Sequence, residues 1–313
     1  FFITPDITLA LGLETVFPNF HIICLNDHPI IDLAAKHCPI FCLKRKIPDL
    51  EISPNTGSIL GLPQVQQYIK EHSNDKQPGL LYFKPQPKID KICQQHGYLQ
   101  LGNTASISRQ FEDKINLAEL AKQHQEIPMI PSLIGESKTI SFKQITSTGL
   151  IRSETNHWVA QIARGWAGKS TYNISNQQEW QAFQQNAGSQ KVKITPFIDG
   201  QTWTVNACVV GGFTLQSPPA LQINRPNSDF SSLPFATCGR QWGSLSSSEN
   251  KTNTNISENT LEIIQNKIAS LTRQVGRMMQ KIGYKGFFGC DFLVSHDGFQ
   301  VYLLEINPRL TAS

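Results

Sequence analysis

The sequence predicts an α/β fold, with a small N-terminal domain built on a largely parallel sheet and a β-hairpin near the C-terminal end. Two observations lead to this prediction. Over the first hundred residues, short apolar runs alternate with helix-like stretches, which is typical of a parallel sheet with connecting helices. Towards the other end, a long amphipathic helix precedes two strands joined by His-Asp-Gly, which indicates a tight turn.

The N-terminal elements follow from apolar periodicity and from Pro and Gly positions. Strands are predicted over 20–25, 40–43 and 80–83, and helices over 28–36, 62–72 and 88–96. The last of these helices is expected to end at Gly97, because glycine readily adopts the left-handed conformation that stops a helix.

The rest of the chain contains longer elements. Helices are predicted over 109–124, 178–186 and 261–282, and strands over 158–163, 191–197, 202–211, 286–295 and 299–306. The segment Ile198–Gln201 is expected to join two of these strands as a hairpin, and residues 164–171 form a loop of mainly small residues. Residues 215–260 are rich in Ser, Asn, Pro and Thr, which indicates a flexible surface segment.

Composition excludes several classes of protein. The chain has 39% hydrophobic and 17% charged residues and a net charge of +4, without a long run of Lys and Arg, so no nucleic acid partner is expected. No apolar run is long enough to predict a membrane span. Seven cysteines without C-x-x-C spacing favour a reducing compartment, and we expect a cytoplasmic protein. Both ends of the chain are expected to lack residues, because it has no initiating Met and stops abruptly.

Two carboxylates in the C-terminal hairpin indicate a metal site. Asp291 and Glu305 each lie within an apolar strand, and the turn at Asp297-Gly298 predicts that they face each other. Facing carboxylates repel unless one is protonated or a cation bridges them. Asn307 follows on the same face, so the three side chains form an oxygen cluster suited to Mg²⁺. The alternative is that both carboxylates simply face solvent on an edge hairpin.

Arg309 follows Asn307 and offers a fork-shaped partner for phosphate or carboxylate. The order of these residues resembles the C-terminal signature of the ATP-grasp superfamily: Asp291, thirteen intervening residues, and then Glu305-Ile-Asn307-Pro-Arg309. The resemblance implies a two-lobed ATP-grasp module with a mobile lid. Its expected boundaries are an N-terminal α/β domain over 1–105, a small lobe with lid and hinge over 106–200, and a C-terminal lobe with the Mg²⁺ site over 201–313.

The resemblance also implies ATP-binding residues. Lys114 is similar to the first phosphate lysine of the family, and the loop 164–171 is similar to the lid, which contributes Gly165, Gly168, Lys169 and Ser170. The strand from Lys193 to Ile198 resembles the adenine-binding hinge, which implies contacts from Pro196, Phe197 and Ile198. Alternatively, Lys114 is a solvated helix residue and the loop is only a turn.

Four positions depart from the family pattern. Gln161 stands where a second phosphate lysine is usual, Thr202 where an acidic residue commonly holds the ribose, and Thr195 where the hinge commonly has Glu. Gly289 replaces an arginine of the D-alanine ligase branch. The resemblance therefore leaves Arg309, Lys285 or Arg240 to hold an acyl phosphate.

The activity implied by the resemblance is ATP-dependent ligation. A carboxylate would be activated as an acyl phosphate and attacked by an amine, with ATP and Mg²⁺ as cofactors (Mn²⁺ as an alternative metal). The expected partners are a small-molecule carboxylate and amine, with an amino acid or peptide among the candidates, and a homodimer is an open alternative. Two other hypotheses are a kinase of a small hydroxyl compound and a non-catalytic ATP-binding regulator.

Overall fold

A computed structural model describes residues 1–151, 153, 155–163, 171–224, 237–242, 258–296 and 300–311. The chain forms two compact units. The first contains Phe1–Ser108 with the short segments Tyr284–Phe287 and Arg309–Ala312, and the second contains Arg109–Gly283 and Phe288–Pro308. The predicted division into domains at 105 and 200 stays a prediction. Most of the predicted lid loop, most of the polar 215–260 segment and the turn at Asp297-Gly298 lie outside the described residues.

The sheet of the first unit is parallel throughout, as the sequence predicts. Its strands are β1 (Phe2–Thr4), β2 (Ile22–Cys24), β3 (Ile40–Cys42), β4 (Gly79–Tyr82) and β5 (Leu99–Gln100), in the order β3-β2-β1-β4-β5. Neighbouring residues of β1 enter two separate apolar cores, since Ile3 packs on one face of the sheet and Phe2 on the other. The short central strand β1 was not predicted, because three residues before a proline show no periodicity.

Short helices connect these strands. They are α1 (Ile31–Ala34), α2 (Leu43–Lys46), α3 (Thr56–Leu60), α4 (Pro63–Glu71) and α5 (Pro87–His96). Helix α5 ends at Gly97, whose φ of 68° is the left-handed conformation that the sequence predicts there. Cys38 and Cys42 are buried in the apolar core between the sheet and these helices.

The single helix predicted over 109–124 is wrong. Two helices occupy the region, α6 (Ala105–Glu112) and α7 (Lys114–Gln123). Between them Asp113 has extended backbone, and its side chain accepts hydrogen bonds from the N–H groups of Ile115 and Asn116. Asp113 therefore caps a new helix, and this places Lys114 in the first turn of α7.

The second unit contains a four-stranded antiparallel sheet. Its strands are β6 (Leu133–Glu136), β7 (Trp158–Ile162), β8 (Thr171–Ile174) and β9 (Lys191–Pro196), in the order β6-β9-β7-β8. Helices α8 (Phe142–Ser147) and α9 (Gln177–Ala187) cover one face. Trp180 and Phe183 of α9 fill the core against Ala160 and Ile194 of the strands.

A second sheet of the same unit carries the C-terminal hairpin. Its strands are β10 (Gly200–Val210), β11 (Phe213–Gln216), β12 (Ala220–Asn224), β13 (Thr237–Gln241), β14 (Gly286–Ser295) and β15 (Val301–Asn307). The order is β13-β12-β10-β14-β15, with β11 also paired to β10. The long helix α10 (Glu258–Lys281) packs against β10 and β11 and stops before Gly283, as predicted.

Two further predictions need correction. The hairpin predicted at Ile198–Gln201 is wrong, because β9 has β6 and β7 on its two edges and β10 belongs to the other sheet. The polar segment 215–260 is not merely a loop, because it includes β12 and β13, which pair antiparallel. The polar composition of this segment hid the strands, because it shows little apolar periodicity. Among the described residues, no helix is both long and apolar enough to span a bilayer.

Gly200 is predicted to be essential for the packing of β10 beside β14. A Cβ atom at Gly200 would lie 2.2 Å from the carbonyl oxygen of Val294, so Gly200→Ala forces the backbones apart. We expect the free energy of unfolding in urea to fall by about 1 to 3 kcal/mol, the usual range for overpacking. Gly239→Ala is the matched control, because its Cβ would meet nothing closer than 3.8 Å. Equal stability of the two variants would contradict the prediction.

Candidate active site

The two carboxylates of the C-terminal hairpin face each other. Asp291 and Glu305 are cross-strand partners, as the turn position predicts. The next pair is Phe292 with Leu303, so Leu304 is an extra residue that forms a β-bulge beside the carboxylates. The amide nitrogen of Asn307 lies 3.3 Å from Asp291 Oδ2 and 3.3 Å from Glu305 Oε1. The three residues proposed from the sequence as metal ligands are therefore in mutual contact.

Asp291 is a buried acid whose ionisation is suppressed. Its residue is only 9% exposed, so the alternative of a solvent-facing carboxylate is wrong for this position. Burial, followed by the neighbouring charge of Glu305, raises the pKa of Asp291 to about 7. A hydrogen bond with Thr204 partly opposes this change. On the other side, Gln222 Nε2 donates to Asp291 Oδ1 over 2.8 Å.

Glu305 has the opposite electrostatic environment. Burial favours its neutral form, but the charge of Lys114, together with hydrogen bonds with Asp291, Lys114 and Asn307, lowers the pKa of Glu305 overall. The Lys114 Nζ lies 3.1 Å from Glu305 Oε2. Glu305 is the more accessible of this pair, with 35% of its side chain exposed against 9% for Lys114. The pair of carboxylates is thus asymmetric, since Glu305 is held ionised and Asp291 is partly protonated near pH 7.

Lys114 reaches the hairpin because Asp113 starts α7 at that point. Its backbone N–H donates to the carbonyl oxygen of Ala163, which follows β7 and leads into the predicted lid loop. The residue is 7% exposed, so the alternative of a solvated helix lysine is wrong. The start of α7 therefore joins the carboxylate hairpin to the base of the loop.

A second buried lysine completes the cluster and was not singled out from the sequence. Lys193 on β9 is 4% exposed and lies opposite Gln161 of β7. Burial, followed by the charge of Lys114, lowers the pKa of Lys193 to about 8, and the charge of Glu305 opposes this. The available signal was a lysine flanked by the buried Val192 and Ile194. By itself that pattern is equally typical of a half-exposed strand.

The two faces of the β7–β9 pair have different roles. Ala160, Val192 and Ile194 point into the apolar core, and the alternate residues lie on the other face. This second face carries Gln161, Lys193 and Thr195, and α7 packs against β9. Gln161 Nε2 donates to the hydroxyl of Thr171 on β8 over 3.2 Å. The predicted ATP-binding residue Gln161 and the buried Lys193 thus share one surface.

The predicted hinge lies where β9 ends. Pro196 is the last residue of β9, and the N–H of Phe197 donates to the carbonyl oxygen of His157 over 2.9 Å. The N–H of Ile198 has no acceptor within the part of the chain that the structure describes. Thr202 lies on β10 two residues before Thr204, so both belong to the face that contacts Asp291.

The candidate acid-binding residues separate into two groups. Arg240 of β13 is the cross-strand partner of Gln222, and its charge opposes the raised pKa of Asp291. Lys285 and Arg309 belong to the first unit. There the side chain of Asn103 bonds the backbone of Lys285, and the Arg309 guanidinium lies 4.8 Å from the ring centroid of Phe83. The lid candidates Gly165, Gly168, Lys169 and Ser170 lie outside the described residues.

The donor set fits a hard divalent cation. Within the described ranges no group of three or more His, Cys, Asp or Glu side chains could hold a metal, so the cluster offers two carboxylates and one amide. Such a set suits Mg²⁺, which retains waters and takes phosphate oxygens as its other ligands. A cation would also relieve the repulsion that raises the pKa of Asp291. Asn307 presents its amide nitrogen to the carboxylates, and a half-turn of that amide exchanges nitrogen for oxygen.

Comparison with known proteins agrees with this geometry. The sequence model described as "ATP-grasp domain" matches residues 111–313. The chain belongs to the ATP-grasp family. The match includes Lys114, Lys193 and the whole Asp291–Glu305–Asn307 cluster. No curated protein matches the chain by sequence.

Solved structures of this family have the same fold. Biotin carboxylase from Campylobacter jejuni, in a β-γ-ATP complex, aligns with a TM-score of 0.65 and 14% identity over 98% of this chain and 63% of that chain. N5-carboxyaminoimidazole synthetase from Staphylococcus aureus, complexed with ADP, aligns with a TM-score of 0.63 and 13% identity over 100% of this chain and 70% of that chain. D-alanyl-alanine synthetase A from Vibrio cholerae aligns with a TM-score of 0.51 and 15% identity over 74% of this chain and 67% of that chain. The ATP-grasp chain described here thus spans about two thirds of each of these proteins.

Asp291→Asn tests the cation site. The substitution keeps the shape of the side chain and removes one of two facing charges, so the metal-free variant is expected to be at least as stable as the wild type. Mg²⁺ with ATP should raise the Tm of the wild type and leave that of the variant nearly unchanged. Thermal unfolding followed by circular dichroism, with and without Mg²⁺-ATP, measures both effects.

The control for this experiment is Asp49→Asn, which changes an exposed aspartate of the first unit. Its Tm should rise with Mg²⁺-ATP as much as that of the wild type. An equal rise in Asp291→Asn would contradict the assignment of Asp291 as a ligand.

Proposed function

We propose that this protein is an ATP-dependent ligase that activates a carboxylate as an acyl phosphate and transfers the acyl group to an amine, releasing ADP and phosphate. The observation that carries the proposal is the contact of Lys114 with the carboxylate cluster, 3.1 Å from Glu305. This contact joins a phosphate-binding cation to an oxygen cluster suited to Mg²⁺. Phosphoryl transfer depends mainly on positioning and charge neutralisation, which such a cluster can supply.

The residues of the cluster have two different roles in this proposal. Asp291, Glu305 and Asn307 would hold Mg²⁺ or Mn²⁺, and the metal would neutralise phosphate oxygens of the nucleotide. Thr204 and Gln222 orient Asp291 through their hydrogen bonds. These outer contacts fix which oxygens of the carboxylate remain for the cation.

The nucleotide base is assigned to the end of β9. The N–H of Ile198, which has no acceptor among the described residues, is available to a ring nitrogen of adenine. The carbonyl of Pro196 would accept from the adenine amino group, and Phe197 supplies an apolar contact. Thr202, on the same strand face as Thr204, would contact the ribose with one hydroxyl.

Binding of the acid requires a cation that can also hold the transferred phosphoryl group. Arg240 is the candidate within the second unit, because its charge acts on Asp291. Arg309 and Lys285 are the candidates from the first unit. A guanidinium binds a carboxylate through two parallel hydrogen bonds, so an arginine is favoured over the lysine. The lid residues proposed from the sequence, including Lys169, would exclude water from the acyl phosphate.

The relatives support a ligase of small molecules. Their names describe a biotin carboxylase, an N5-carboxyaminoimidazole synthetase and a D-alanyl-alanine synthetase. We therefore propose a small acid and a small amine as substrates, with amino acids or short peptides as the first candidates. A screen that pairs acids with amines and detects ADP would identify them.

Substrate dependence of ADP formation tests the ligase proposal. Steady-state ADP formation should require Mg²⁺-ATP, an acid and an amine together, because the acyl phosphate formed with the first ADP is consumed only when the amine attacks it. Glu305→Gln should lower kcat by at least about a hundredfold, the usual effect of losing a group that stabilises charge in the transition state. Coupled detection of ADP measures both results. ADP formation with a hydroxyl compound alone would instead indicate a kinase.

Arg309→Lys tests the acid-binding residue. The lysine keeps the charge but loses the two parallel hydrogen bonds, so the KM for the acid should rise about tenfold or more while the Kd for ATP stays constant. Steady-state kinetics and calorimetry give the two values. Arg109→Lys, which changes an exposed arginine of α6, is the control and should alter neither. An unchanged KM would leave Arg240 as the acid-binding candidate to test next.

A further inference from the structure

We infer that Lys193 contacts the phosphate groups of the bound nucleotide and replaces, from the neighbouring strand, the lysine that Gln161 lacks. The inference deepens the proposed nucleotide site and rests on it. It assigns a role to a buried cation that neither the sequence motifs nor the family match explains. Strand register, the face of the sheet and the balance of charge each support this role.

Strand register places the two positions side by side. The Phe197 N–H to His157 O bond shows that residues 157 and 197 form a directly bonded pair of the antiparallel ladder. Bonded pairs recur every second residue, so Gln161 and Lys193 form another such pair. Side chains at such positions start roughly 5 Å apart on one face. The flexible four-carbon stem of a lysine can span that separation, so Lys193 can place its ammonium where a lysine at 161 would place it.

The face that carries Lys193 is the face of the nucleotide site. Val192 and Ile194, its neighbours along β9, enter the apolar core on the other side of the sheet. On its own side α7 packs against β9, and the charge of Lys114 acts on Lys193. Lys193 therefore belongs to the same cluster as Lys114 and Glu305.

The charge balance of this cluster favours an anionic ligand. A lysine that is 96% removed from solvent is unfavourable unless an anion is close. Yet no carboxylate oxygen of the described residues lies within 4 Å of the Lys193 Nζ. Glu305, whose charge attracts it, already forms its ion pair with Lys114. A triphosphate would supply an anion close to this ammonium group.

Gln161 does not fill this role in the structure. Its side-chain amide donates to the hydroxyl of Thr171 on the next strand, on the side of β7 away from β9. A neutral amide also provides no charge to a phosphate oxygen. Relative to the family pattern, a lysine is lost at position 161 and one is present at position 193, so this face keeps the same charge.

The alternative role for Lys193 is structural, as a second counter-ion for Glu305. The two roles predict different results for Lys193→Met, which preserves the apolar stem without the charge. If Lys193 is a counter-ion, loss of its charge would lower the Tm of the nucleotide-free protein and weaken the binding of every ligand equally. If Lys193 is a phosphate ligand, the substitution would leave that Tm unchanged or raise it, because a desolvated cation is removed.

Calorimetric titration with ATP and with adenosine separates these roles. We expect Lys193→Met to weaken ATP binding about tenfold or more, since hydrogen bonds to charged groups are the strong ones, and to leave adenosine binding within twofold. Lys191→Met is the control, because Lys191 lies on the same strand and is exposed. Unchanged ATP affinity in Lys193→Met, or equal weakening of ATP and adenosine, would overturn the inference.

A charge exchange provides the decisive variant. The double substitution Gln161→Lys with Lys193→Gln moves the cation across the strand pair and should bind ATP within a fewfold of the wild type. This variant also decides the question if Lys193→Met fails to fold, and weak ATP binding by the folded exchange variant would overturn the inference. If the wild-type protein binds ATP but forms no ADP with any acid and amine, only the ligase proposal is overturned. If the wild-type protein binds no ATP, both the ligase proposal and the role of Lys193 are overturned.

Discussion

The repulsion between Asp291 and Glu305 is the constraint around which the second unit is organised. Two carboxylates on adjacent strands can coexist only if one is neutral, if cations surround them, or if a metal bridges them. The protein uses hydrogen bonds from Thr204, Gln222 and Asn307 together with the ammonium of Lys114. These partners come from β10, β12, β15 and α7, so side chains from four elements converge on the two carboxylates.

The same constraint explains why the cluster is asymmetric and why it suits phosphoryl transfer. Lys114 favours the ionised form of Glu305, while burial and the charge of Glu305 keep Asp291 partly protonated near pH 7. A divalent cation would allow both to ionise and would release Lys114 to interact with a phosphate group. Under the proposed function, a magnesium nucleotide would relieve this repulsion, and occupancy of the site would then stabilise it.

Much of the fold was predictable because its signals are local. The alternation of apolar runs identified the parallel sheet, and the C-terminal hairpin followed from its turn residues, with Asp291 opposite Glu305 as predicted. The errors arose where apolar periodicity alone does not decide the structure. Asp113 ended one helix and began another through a local cap, and β9 and β10 joined different sheets instead of forming a hairpin. The strands β12 and β13 lie within a polar segment that lacks apolar periodicity, and they pair with each other.

By itself the sequence determined the oxygen cluster and its family, because Asp291, Glu305 and Asn307 lie within one hairpin whose register depends on its own turn. Only the tertiary structure brought Lys114, Lys193, Gln222 and Arg240 to that hairpin, because each comes from a different element and each is held by packing rather than by its neighbours in sequence. The position of Lys193 shows the difference most clearly. In the sequence it is one lysine in a strand. In the fold it is a buried cation beside Gln161, the position where the family pattern has a lysine.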